Sequence, residues 1–293
     1  MLGKLLKYEF KATARIFLLM YAALLVLAGF NAIIIPFNGN TTLGFLEALP
    51  TLHTTITTLS TLMYVLAAIA VCVVTFVIII VRFYRMLGDE GYLWFTLPVT
   101  ANQQILSKLI AAFVWSFASL IVFVISIGLL TLPSGWVGEL WRIPDLWGQA
   151  KAMGFTPGLW LWCALVLILI SWFSSILSYY TAIATGPNLI KSRLGGSVLA
   201  YIIIYIATQI LSAILLVAIA APIAAQVESI SEISVPLSMS YGATATLLTG
   251  QLVEAINRIV LICTTCFGGM SLVTAGVFYF ITRHFITNKL NLA

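Results

Sequence analysis

Few residues in this chain have the type or spacing for covalent chemistry. Cys263 and Cys266 make a C-x-x-C pair inside a continuous apolar run, with no His and no further Cys close by. Metal or redox use needs more ligands and access from water, so the pair reads as small packing residues. Cys72 and Cys163 also lie in or beside apolar runs, and His53 and His284 stand alone. The stretch from Gly186 to Ser192, GPNLIKS, has a superficial likeness to a phosphate loop. It lacks the glycine before Lys191 and follows an apolar run instead of a strand. Asp89 and Glu90 are adjacent carboxylates bracketed by Gly88 and Gly91, without a nucleophile nearby, and such pairs in a turn stay hydrated. The residues therefore predict a chain that is not an enzyme and holds no cofactor or metal of its own.

The elements that carry these residues follow from composition. The chain has 293 residues, 62% of them hydrophobic and only 8% charged, with a mean hydropathy of +1.12. A soluble domain has about 25% charged residues, so a soluble globular fold is excluded. Disorder requires low hydrophobicity and high charge, and a disulfide scaffold requires a shorter, cysteine-dense chain. A bilayer core of ~30 Å takes ~20 apolar helical residues. Six uncharged runs meet that need: 16–36, 58–81, 109–132, 158–185, 196–221 and 259–281. They are continuous, unlike the alternating strands of ~10 residues in membrane barrels. The expected fold is all-α integral membrane, with a six-span domain over residues 16–293. Ionisable groups at membrane depth mark proton relays and intramembrane catalysis. None lies in these runs, which suits a transporter whose energy arrives from outside the bilayer.

Charge gives the expected orientation. Eleven of the 14 Lys and Arg residues fall at the N-terminus, in the second and fourth connections and in the tail; Arg142, Lys151 and Arg258 fall on the other side. Positive charge stays in the cytoplasm, so both termini are expected there, in a multi-pass protein of the cell membrane. Trp136, Trp141, Trp147, Trp160 and Trp162 crowd the opposite side, as in an interfacial aromatic belt. The first apolar run exceeds the ~7–15 residues of a signal-peptide core and is expected to be retained. Before it, Lys4, Lys7, Lys11 and Arg15 recur at steps of three and four, opposite Leu2, Leu5, Leu6 and Phe10. Residues 1–15 thus read as a basic amphipathic helix in the inner interface.

The second connection, 82–108, reads RFYRMLGDEGYLWFTLPVTANQQILSK. By charge it is cytoplasmic, yet Tyr92, Leu93, Trp94, Phe95 and Leu97 stand almost in a row. Such a cluster must be covered, either by the lipid interface or by another protein. Pro98 stops any helix, and Thr100 with Gln103 has the spacing of a capping box that opens the third span.

The stretch from Gly88 to Leu109, GDEGYLWFTLPVTANQQILSKL, resembles the cytoplasmic loop of ABC-2-type transporter permeases. The opening LLKYEFKATARIFLLMYAALL, Leu5 to Leu25, resembles the start of such permeases from Gram-positive bacteria, and the six-span plan is similar too. The resemblance implies a permease subunit of a bacterial ATP-binding cassette exporter. ATP and Mg would be held by two copies of a separate ATP-binding subunit, and a second or related permease copy would complete the pathway. It makes Leu87 to Pro98 a coupling element, with Tyr92, Leu93, Trp94, Phe95 and Leu97 in the partner's groove and Asp89 and Glu90 at its rim. Membrane lipids are the other expected partner, and nucleic acid is not one. The substrate is left open. Two other readings stay open: an ATP-independent membrane scaffold or sensor, and a secondary transporter.

Two further patterns bear on a pathway. Ser171, Ser174, Ser175, Ser178, Ala182 and Thr185 form one small, weakly polar stripe. Thr264, Thr265, Gly268, Gly269, Ser271 and Thr274 do so in the last span. Close helix packing accounts for both; the alternative is a lining for an amphipathic substrate. Residues 222–258, with Pro222 and Pro236, are expected to form short helices at the outer surface.

Overall fold

The computed structural model describes residues 2–35, 50–88, 100–132, 142–190, 192–231 and 241–288. Seven α-helices and one short 3-10 turn account for nearly all of them, and no strand occurs among the described residues. The helices are α1 (Leu2–Ile34), α2 (Pro50–Leu87), α3 (Ala101–Thr131), α4 (Ile143–Ala152), α5 (Pro157–Thr185), α6 (Arg193–Ser231) and α7 (Tyr241–Asn288). All but α4 are long and apolar enough to cross a bilayer. The protein is an all-α, multi-pass membrane protein, as its composition predicts.

Each spanning helix is longer than the apolar run that announces it. At ~1.5 Å per residue, the 33 residues of α1 reach about 50 Å, well beyond a ~30 Å hydrocarbon core. The basic segment and the first span form one uninterrupted helix, α1. The amphipathic pattern holds within it, with Lys4, Lys7, Lys11 and Arg15 exposed and Leu2, Leu5, Leu6 and Phe10 half-buried. One expectation is corrected toward the other end of the chain. Pro222 lies inside α6, which runs on to Ser231, and the amphipathic stretch around Leu252 and Val253 belongs to α7. Proline is tolerated inside long membrane helices because neighbours and local adjustments satisfy the freed carbonyl. Pro236 lies outside the described residues.

Backbone contacts divide the chain into two compact units, one holding α1–α3 and the other α4–α7. In the first, Phe17, Tyr21, Leu24 and Ala28 of α1 bury against Tyr64, Ala68 and Val71 of α2, with Trp115 of α3 packed on them. Trp115 stacks on Phe17 at 4.4 Å between ring centroids. A ladder of polar pairs crosses this unit. Tyr21 Oη meets Ser119 Oγ at 2.7 Å, Thr75 reaches the same serine at 3.1 Å, and Tyr64 Oη meets Ser126 Oγ at 2.9 Å. Asn31 donates to Ser60 O at 3.2 Å, and the buried His53 ring contacts Ile34 O at the end of α1. In lipid such bonds contribute about 0.6 kcal/mol each on average, and they fix helix rotation as well.

The second unit is tied at both ends. The α4 helix stops at Gly154, the only positive-φ residue described (φ 88°), with Phe155 N–H reaching back to Ala150 O at 3.0 Å. Only glycine takes that turn without strain. Asn257 of α7 holds the turn from above, accepting from Trp160 Nε1 at 2.9 Å and donating to Gly154 O at 3.3 Å. Near the far end, Thr181 of α5 contacts the Thr282 hydroxyl at 3.0 Å and donates to Phe278 O at 3.1 Å. There α5 and α6 cross at Gly186 and Gly196. A Cβ on Gly196 would land on the Gly186 carbonyl, so the close approach requires glycine.

Candidate functional site

The connection flagged by the sequence begins where α2 ends. Gly88 turns the chain, its N–H bonding Arg85 O at 3.1 Å. Asp89, Glu90, Tyr92, Leu93, Trp94, Phe95 and Leu97 lie outside the described residues, which resume at Thr100. The third span does start there: Thr100 is the N-cap in extended conformation, and Gln103 and Gln104 N–H groups bond its carbonyl. The capping box is not made, because the Thr100 side chain forms no cap hydrogen bond. A backbone turn opens the helix instead.

What brackets this connection is a buried ion cluster. Glu9 of α1 is 4% exposed; its two carboxylate oxygens meet Arg82 Nη2 at 2.6 Å and Lys108 Nζ at 2.9 Å. Arg82 also reaches Glu9 O at 3.4 Å. Lys108 is buried as well, at 6%, and Arg82 is mostly covered. Arg82 sits one turn and a half before the end of α2, and Lys108 two turns after the start of α3. One carboxylate therefore joins both flanks of the connection to α1. Arg82 and Lys108 read from sequence as topology charges; in the fold both are pinned at the helix ends, just outside the apolar runs. Removing one partner of such a buried cluster costs about 3–5 kcal/mol, because the others lose their compensation.

The second unit contains an open cleft of about 270 Å³ between α5, α6 and α7. The stripes seen in the sequence meet there: Ser171, Ser174, Ser175 and Ser178 from α5 face Ser271 and Thr274 from α7. Ser174 Oγ and Thr274 Oγ1 are 3.2 Å apart, so part of the stripe packs and the rest opens. Sequence reasoning missed the third wall, Tyr201, Tyr205, Thr208 and Gln209 of α6. Their spacing of four, three and one within an apolar run is a helical polar stripe and was the available signal. Tyr179 and Tyr201 stack at 5.1 Å. Among the described residues, no charged side chain lines the cleft. Its chemistry is hydrogen bonding and aromatic contact.

Two other motifs singled out by the sequence also lie in the second unit. Cys263 and Cys266 are free thiols within α7, and no group of three metal-ligating side chains occurs among the described residues. Gly186–Asn188 forms a single 3-10 turn after α5. No family model, curated protein or solved structure matches this chain.

Proposed function

We propose that this protein is the membrane-spanning permease subunit of an ATP-binding cassette exporter of the ABC-2 type, driven by a separate ATP-hydrolysing subunit. The observation that carries this reading is the aromatic stretch 92–97, set between two helices that Glu9 clamps to a third. A force applied to that stretch reaches α1, α2 and α3 together, because the flanking Arg82 and Lys108 share one buried carboxylate. The Lys and Arg bias supports a cytoplasmic position for this connection and for both termini, in the cell membrane. Two permease copies would dock two ATP-binding subunits, which hold ATP and Mg. Closure of those subunits would press on residues 87–98 and tilt the first unit.

The test is reconstitution of the full chain with its ATP-binding subunit. Aromatic anchors of this kind contribute about 2 kcal/mol or more each, roughly 30-fold in affinity. Trp94→Ala combined with Phe95→Ala is expected to abolish stimulated ATP turnover while the chain stays folded. Stimulation that persists in the double variant contradicts the assignment and favours a scaffold or sensor; transport that follows an ion gradient without ATP favours a secondary transporter.

A further inference from the structure

We propose that the cleft of the second unit is a ligand site for an amphipathic molecule whose head group donates hydrogen bonds through amine or amide N–H groups. The argument begins with where the lining protons already go. Ser175 donates to Ser171 O at 2.9 Å and Ser178 to Ser175 O at 2.7 Å. Thr208 donates to Tyr205 O at 2.8 Å and Thr274 to Met270 O at 3.0 Å. With that proton committed, Ser174 Oγ is left to donate to Thr274 Oγ1. A hydroxyl has one proton and two lone pairs. Five hydroxyls whose protons are engaged within the protein can still accept, and the Ser271 and Tyr205 hydroxyls and the Gln209 amide on the same wall can both accept and donate, so acceptors outnumber donors there.

The tyrosines add to the same preference. Tyr201 lies between Tyr179, at 5.1 Å, and Tyr205, at 6.3 Å. Their ring faces are electron-rich and favour N–H donors and organic cations over anions. Among the described residues, no Lys, Arg or His lines the space to hold an acidic head group. The volume, about 270 Å³, suits a head group more than a whole drug-sized molecule, for which ~300–1,000 Å³ is usual. Beside the lining residues, Ile206, Ile210, Leu272 and Val273 are exposed, which gives an apolar tail a place to lie. The cleft has a built end: beyond it α5 and α7 are joined at Thr181 and Thr282, and α5 and α6 are drawn together at Gly186 and Gly196. The site stands on the geometry of this unit alone and does not require an ATPase partner.

The experiment uses the full chain in phosphatidylcholine nanodiscs. Three diazirine probes share one alkyl chain and end in an acetamide, an ammonium or a carboxylate, and the labelled peptides are mapped by mass spectrometry. Saturable labelling within 171–179 or 201–209 is expected from the acetamide and ammonium probes, with the carboxylate at least about 10-fold weaker. Ser175→Trp, a filling change at an exposed position, is expected to abolish that labelling. Thr208→Val keeps the size, removes one acceptor and is expected to weaken probe affinity about 5-fold; it carries the test if the filled variant does not fold. Equal labelling by the carboxylate, or labelling untouched by both variants, overturns the proposal. Adding phosphatidylethanolamine separates two sources of the same chemistry: competition identifies a membrane aminolipid, and retained labelling identifies a free amphiphile. No ATP-binding subunit is present, so failure here leaves the coupling proposal standing, and failure of coupling leaves this site standing.

Discussion

Glu9 is the residue on which the first unit turns. Its partners lie 73 and 99 positions downstream, so no local pattern announces it. Read along the chain, it is one acid in a basic segment. Only the packing of α1 against α2 and α3 shows that it neutralises charges on both sides of one connection. Glu9→Ala leaves two cations in a covered site and is expected to lower stability by about 3–5 kcal/mol, measured as the unfolding midpoint in detergent. Replacing Glu9, Arg82 and Lys108 together by Leu removes the uncompensated charge and is expected to recover most of that loss, since buried ion clusters are often replaceable by apolar groups. A triple variant as unstable as the single one would contradict this account of the cluster. The hydroxyl stripe of α5 was legible in sequence because serine repeats at helical spacing; the tyrosines of α6 were harder to see among residues that are themselves apolar.

At the scale of elements, the apolar runs announced six spans because a bilayer demands continuous hydrophobicity, and that signal is strong. It says little about where a helix ends, since charged turns continue a helix beyond the membrane, as in α1 and α7. It also says little about Pro222, whose breaking tendency is overridden inside α6. The crossing of α5 and α6 supplies a direct test of the second unit. Gly196→Ala must push the two backbones apart, and overpacking of this kind costs about 1–3 kcal/mol. Reduced thermal stability of the purified chain is expected. Gly269→Ala on α7 meets nothing within 4 Å and is expected to be neutral or slightly stabilising. If both substitutions behave alike, the close approach of α5 and α6 is not as described.

For the whole molecule, two features of different kind are combined in one chain. The first unit has an ion clamp at the flanks of an aromatic connection, and the second has an uncharged, acceptor-rich cleft. On the proposed reading, the work of the chain is conformational. The most direct measurement places a photo-reactive phenylalanine analogue at Trp94 in the full chain, in native membranes. The account predicts a cross-link from the cytoplasmic face to an ATP-binding cassette subunit, with a yield that changes when nucleotide is added. Cross-links confined to lipid or to the chain itself, or a position 94 reachable only from outside the cell, would contradict it.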